Sequence, residues 1–197
     1  MFSFLQRIQN VSVTLRQLAD NPKRVALLLI DVQDIFTSSG KSATQKIPKL
    51  TDAFRKAGGQ VYAIHYCSPS NHRDLINFCV YKPHAQDIVI EKFDASAFNG
   101  EISVANPHEA LYPQKSMKTL LEDNGHNSVL TCGFSYDCCV LNTSKDARKF
   151  GFETTVIRDL TNYRGNGYYY DMQSNKKYKE AGVDMTSLNQ VLRILQP

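Results

Sequence analysis

The sequence predicts an α/β chain: a three-layer, open, mostly parallel sheet with helices on both faces. Three observations predict it. Short apolar runs alternate with stretches of helical periodicity along the chain, the pattern of strand and crossover helix. The run Arg24 to Val32, RVALLLIDV, is almost wholly aliphatic, as a central parallel strand covered on both faces requires. From Ser128 to Asp159 the chain reads as strand, tight turn, helix and strand in direct succession.

Taken in order, residues 2 to 19 have the spacing of an amphipathic helix, with Phe4, Leu5, Ile8, Val11, Leu15 and Leu18 on one face. Asp20-Asn21-Pro22 ends it. This helix either packs on its own domain or meets another subunit. The aliphatic strand from Arg24 ends in Asp31, an acid at a carboxyl end, where open α/β sheets build their sites. A buried acid is costly without a partner or a task, although an Asp here can also simply cap the following turn. Ser42 to Ala57 reads as a helix, with Ile47, Leu50, Ala53 and Phe54 inward and Pro48 near its start. Gly58-Gly59 stops it, and Gln60 to Tyr66 is the second strand.

Cys67 to His84 is irregular and polar, as lids and pocket walls often are. Asp87 to Lys92 is a third strand that ends in a lysine. That lysine either lies on the surface or balances Asp31 at the same sheet edge and favours a nearby thiolate. Phe93 to Pro113 is again irregular, and Gln114 to Asn124 is a helix closed by Gly125. Val129 to Cys132 is the fourth strand, broken at Gly133, and a helix begins near Asp137 and stops at Gly151. Thr154 to Ile157 is the fifth strand. Beyond Asp159 the chain is rich in tyrosine, with Tyr163 and Tyr168 to Tyr170 as pocket walls, interface residues or single exposed rings. A helix over Asp171 to Ala181, a short strand over Val183 to Thr186 and a closing helix over Leu188 to Leu195 complete the chain.

The totals bound the function. A chain of 197 residues makes one sizeable domain, read as 1–197 with residues 1–22 as a helical extension. Lys and Arg number 23 against 19 acids, and they are scattered, which disfavours nucleic acid as a partner. Five cysteines without a C-x-x-C spacing argue against a disulfide framework or a zinc knot. Reduced thiols suit a cytoplasmic protein. No apolar run approaches the ~18 residues that span a membrane. A dinucleotide fold is disfavoured by the absence of G-x-G-x-x-G after the first strand.

The chemistry gathers at Cys138 and Cys139, where a helix begins. Free N–H groups and the positive end of the helix dipole bias a cysteine there towards thiolate, below its free pKa of about 8.5. The same N–H groups can hold an oxyanion. One turn can therefore supply nucleophile and oxyanion hole, or the two thiols can be small packing residues. A disulfide between adjacent cysteines is strained, so a redox role ranks last.

Three pieces in order, LLLIDVQDIF, EKFDASAF and GFSYDCCVLNTSKDARKFGF, resemble the isochorismatase-like cysteine hydrolase family. That family includes isochorismatases, nicotinamidases and N-carbamoylsarcosine amidases. The resemblance covers about residues 24 to 160. It implies an open six-stranded, mostly parallel sheet and a catalytic trio of Asp31, Lys92 and Cys139. It also implies an oxyanion hole from the backbone N–H groups of Ser135 and Cys139, and a cis peptide at Phe134-Ser135. Phe36, Tyr66, Phe98 and Tyr136 are the candidate substrate-binding residues. The implied activity is hydrolysis of a small amide-type substrate through a thioester. Vinyl-ether hydrolysis and a non-catalytic scaffold are the alternatives. The implied assembly is a homo-oligomer, dimer or tetramer.

The chain departs from the family at two places. Nicotinamidases hold a metal through Asp-x-His and a second His, but here Tyr66 and Ser68 stand where the acid and first His belong, and only His72 matches. No metal and no cofactor are expected. The threonine often found three residues before the nucleophile is Tyr136, which suggests a different pocket. The segment Glu101 to Pro113 is longer than usual for the family and is expected to reshape the entrance.

Overall fold

The computed structural model of the chain describes residues 11–33, 36, 41–67, 81–100, 102–105, 116–162 and 168–196. Helix α1 spans Val13–Asp20 and strand β1 spans Val25–Ile30. Helices α2 and α3 span Lys41–Thr44 and Ile47–Lys56, followed by β2 at Gln60–Tyr66. Next come β3 at Ile88–Lys92, β4 at Ser103–Ala105 and α4 at Met117–Asp123. Then follow β5 at Ser128–Phe134, α5 at Cys139–Lys149 and β6 at Glu153–Asn162. Helix α6 at Tyr168–Glu180, β7 at Asp184–Thr186 and α7 at Leu188–Leu195 close the chain.

The seven strands form one sheet in the order β4-β3-β2-β1-β5-β6-β7. Every pairing is parallel except β3 with β4. The six parallel strands are the six that the sequence predicts. The antiparallel β4 is an addition, and it lies inside the stretch read as irregular. All six residues of β1 are buried, as an aliphatic strand between two others must be. Side chains alternate across the sheet, so Ala26, Leu28 and Ile30 join one core cluster with α4 and α5. Val25, Leu27 and Leu29 join the other, with α1, α3 and α7.

Several boundaries differ from the sequence reading for identifiable reasons. The first helix starts only at Val13, because the Ser12 side chain caps it by accepting from the Leu15 N–H. Residues 2–10 of the expected helix lie outside the described residues. The helix expected over Ser42 to Ala57 is two helices. Pro48 has no N–H to donate to the Thr44 carbonyl, so a turn at Gln45–Lys46 separates them.

Gly133 does not end its strand. It sits within β5 at φ +114, and a Cβ there would strike the backbone of Ile30 on the neighbouring strand. The glycine therefore lets β5 pass close against β1, and the strand runs on to Phe134. Strand β6 is likewise longer than expected. Its pairing with β5 shifts register between Thr131 and Gly133, so that Gly133 pairs with Thr161 and Phe134 with Asn162. Among the described residues, no helix is long and apolar enough to cross a membrane.

Candidate active site

β1 and its neighbours β2 and β5 are parallel, and β3 lies beyond β2, so their carboxyl ends share one edge of the sheet. Asp31 follows β1 directly. It adopts φ +52, a left-handed conformation that Asp tolerates better than most residues. Its N–H still donates to the Ile64 carbonyl at 2.8 Å, while its own carbonyl accepts from the Gln33 N–H at 2.7 Å. The backbone thus turns out of the sheet within one residue. Asp31 is wholly buried.

Lys92 is the last residue of β3, two strands away, about 10 Å at ordinary strand spacing. Its side chain spans that gap over Tyr66, the last residue of β2. Its Nζ lies 2.9 Å from Asp31 Oδ2. The ammonium also donates to the Asp94 carbonyl at 2.9 Å and sits 5.0 Å from the centroid of the Tyr66 ring. Lys92 is 1% exposed, so it is a buried ion-pair partner and not a surface lysine.

The third element arrives on the other side of β1. The Phe134-Ser135 peptide after Gly133 is cis, and α5 begins at Cys139 with Cys138 as its N-cap residue. The Cys139 thiol and the Asp31 carboxylate are close enough for each to act on the other's ionisation. In the turn, the Cys138 and Val140 N–H groups both donate to the Ser135 carbonyl at 3.1 Å. Among the described residues, the Cys139 N–H between them has no backbone acceptor.

The electrostatics correct one expectation. The position at a helix start does not make Cys139 a resting thiolate. Burial pushes the thiol well above its ordinary range and the Asp31 carboxylate adds to this, while Lys92 only partly opposes it. Asp31 is also raised by burial, against the pull of Lys92. The partial charge of a helix end is outweighed by removing a full charge from water. The resting site is therefore a thiol beside a carboxylate of raised basicity.

Two candidate pocket residues are buried in aromatic contacts of their own. Phe98 is buried against Phe150 and Phe152, with ring centroids 5.6 and 6.0 Å away. These lie beyond the far end of α5, about 16 Å along the helix from Cys139. The turn after Lys92 runs down α5, held there by the Ala97 N–H donating to Thr143 Oγ1 at 3.2 Å. Phe98 clamps that turn against Phe150 and Phe152. Tyr136 is completely buried and stacked on Tyr178.

Of the other candidates, Tyr66 is half-buried beside Lys92, and Phe36 is half-buried against the cluster on the α3 side. Ser135 is buried in the turn. Ser68, His72, Tyr163 and most of Glu101 to Pro113 fall outside the described residues, and the side chains of Tyr168 to Tyr170 are not described.

The residues missed by sequence reasoning are those that fix the trio. The Gln33 side chain brackets Tyr66, and Thr143 anchors the turn after Lys92. A threonine on the buried face of a helix, one turn after Cys139, was the available signal for the second.

Residues 25–190 match the sequence profile of the isochorismatase domain. The chain belongs to the isochorismatase family. This isochorismatase-family chain is 26% identical to the uncharacterized isochorismatase family protein YrdC of Bacillus subtilis, over 76% of this chain and 81% of that one. Solved structures share its fold. The isochorismatase family protein of Burkholderia thailandensis superposes with TM-score 0.71 at 18% identity, over 90% of this chain and 97% of that one. The pyrazinamidase of Pyrococcus horikoshii, solved in complex with zinc, gives 0.67 at 19% identity, over 84% and 99%. N-carbamoylsarcosine amidase from Thermoplasma acidophilum gives 0.64 at 19% identity, over 83% and 96%.

A zinc-bound relative makes the metal question concrete. Among the described residues, no three His, Cys, Asp or Glu side chains gather as a metal would need. Tyr66, where the resemblance places an acid, turns its ring to the Lys92 ammonium. A phenol beside a buried cation does not fit a divalent ion, and no step below runs through one.

Proposed function

We propose that the protein is a cysteine hydrolase of small amide-type substrates, working through Cys139, Asp31 and Lys92. The observation that carries this reading is the buried Asp31–Lys92 pair set against a cysteine at the first turn of α5. The Cys139 sulfur attacks the substrate carbonyl as its proton passes to Asp31, whose raised basicity suits a general base. The Cys139 and Ser135 N–H groups receive the oxyanion. Asp31 returns the proton to the departing nitrogen, the C–N bond breaks and a thioester remains. Water, deprotonated by Asp31, then cleaves the C–S bond and restores the thiol. The balance is amide plus water to acid plus amine.

Lys92 keeps a carboxylate ionisable in a buried site and offsets the charge that builds up during attack. A screen of small amides and ureido compounds tests the reading, with Cys139→Ala as the control. Turnover lost in Cys139→Ala supports covalent catalysis. Full turnover in that variant rejects it.

A further inference from the structure

The residue three before the nucleophile is held by more partners than any packing role at a turn requires. The Tyr136 N–H donates to the Asn162 carbonyl at the end of β6, at 2.6 Å. Its own carbonyl accepts from the Tyr178 hydroxyl of α6 at 2.7 Å. One ring face stacks on Tyr178, with centroids 4.6 Å apart, and the Arg158 guanidinium carbon lies 4.1 Å from the ring centroid. Two groups this close above one ring must occupy opposite faces. Arg158 in turn pairs with Asp171 of α6 at 3.1 Å, and the Tyr136 hydroxyl donates to Asn175. Both backbone groups and both ring faces of this residue are therefore gripped by β6 and α6.

We propose that Tyr136 is a positioning residue for Cys139. Clamped between Arg158 and Tyr178, it fixes the turn that carries the nucleophile and so sets the thiol against Asp31. The proposal rests on the cysteine hydrolase reading. The turn is short: Tyr136 follows Ser135, whose carbonyl organises the first N–H groups of α5, and precedes Cys139 by three residues. A shift at Tyr136 has nowhere to be absorbed before it reaches the sulfur. An aromatic clamp of this kind needs a large ring, which accounts for a tyrosine where the resemblance leads one to expect a threonine.

The test uses three variants: Arg158→Met, which removes one side of the clamp; Tyr178→Phe, which keeps the stacked ring and removes the hydroxyl that bonds the Tyr136 carbonyl; and Arg158→Lys as the conservative rescue. Alkylation of Cys139 by iodoacetamide is followed against pH, with Cys138 resolved from it by peptide mass spectrometry. A released turn lets the thiol leave its buried place beside Asp31. Its alkylation midpoint is then expected to fall towards the free-cysteine range, with labelling at pH 8 about tenfold faster.

On an amide that the wild type hydrolyses, kcat is expected to fall about tenfold with KM nearly unchanged. Arg158→Lys keeps a cation on the ring and should recover most of the wild-type profile. A lowered melting temperature with an unchanged alkylation profile and kcat overturns the proposal, because Tyr136 would then only be packed. If the wild type hydrolyses no amide yet the alkylation profile shifts, positioning stands and the amidase reading falls.

Discussion

Gln33 and Tyr66 exchange two hydrogen bonds across the ends of β1 and β2. The Gln33 amide nitrogen donates to the Tyr66 carbonyl at 3.1 Å, and the Tyr66 N–H donates to the Gln33 amide oxygen at 2.9 Å. A side chain thus continues the ladder where the β1 backbone has already turned away at Asp31. It also sets the distance between Asp31 and the Tyr66 ring beneath Lys92. Gln33→Ala removes both bonds and leaves two backbone groups unpaired at a buried strand end. The expected cost is about 2–6 kcal/mol of stability, at about 1–3 kcal/mol for each orphaned group. Urea unfolding measures it. A loss below half a kilocalorie would mean that water replaces the amide without penalty.

Stability should also fall towards acid pH, through histidines that are buried neutral. His65 is a buried residue of β2, and burial holds its pKa at about 4 against an ordinary 6.5. His126 is lowered for the same main reason, with its Nε2 2.8 Å from the Tyr62 hydroxyl. Between pH 6.5 and about 4, the unfolded chain binds a proton that folded His65 refuses. The folded state therefore loses stability as pH falls through that window, by up to about 3 kcal/mol from this group. His126 acts in the same direction. The urea midpoint measured from pH 7 to pH 4.5 should decline, and His65→Gln should flatten the decline. An unchanged slope in that variant would assign the acid sensitivity elsewhere.

The central parallel strands were legible because a strand buried on both faces must be apolar along its whole length, as in Val25–Ile30, whereas the short edge strand β7, exposed at two of its three residues, was marked mainly by its place between two helices. Asp31 and Lys92 were legible because a charge at the end of such a run is out of place unless it is paired. The rest depends on contacts between distant residues. Nothing local tells that Gly133 continues a strand, since the reason is the backbone of Ile30. Phe98 sits in a motif beside Lys92, yet its ring is claimed by Phe150 and Phe152 at the other end of α5. The protonation of Cys139 reverses from thiolate to thiol because burial is a property of the assembled sheet.

Gly133 offers a local test of that close approach. Its φ of +114 is strained for any side chain, and a Cβ would meet the backbone of Ile30, which cannot swing aside. Gly133→Ala should force β5 away from β1 at the point where the nucleophile turn begins. The expected cost is at least about 3 kcal/mol, from backbone strain and overpacking together. If the variant folds, hydrolysis should fall more than stability, because Asp31 directly follows β1 and the turn to Cys139 leaves β5, the two strands being separated. Circular dichroism melts and an activity assay on the same preparation compare the two.

The strongest energetic coupling is expected between Asp31 and Lys92, which are 0% and 1% exposed. Lys92→Met leaves a buried carboxylate with no counter-charge. Breaking a buried pair in this way costs about 3–5 kcal/mol, less whatever the acid recovers by taking up a proton. Asp31→Asn strands the ammonium, which still has the Asp94 carbonyl and the Tyr66 ring, so it should cost less. The double variant carries no buried charge at this point and should be more stable than Lys92→Met alone. A double-mutant cycle by urea unfolding then gives a coupling of about 1–3 kcal/mol. All three variants should lose hydrolysis by about 10²–10⁴-fold, the range for removing a general acid–base. Recovery of stability without recovery of turnover in the double variant separates what the pair does for the fold from what it does for Cys139. Additive costs within half a kilocalorie would show that the two charges do not depend on each other.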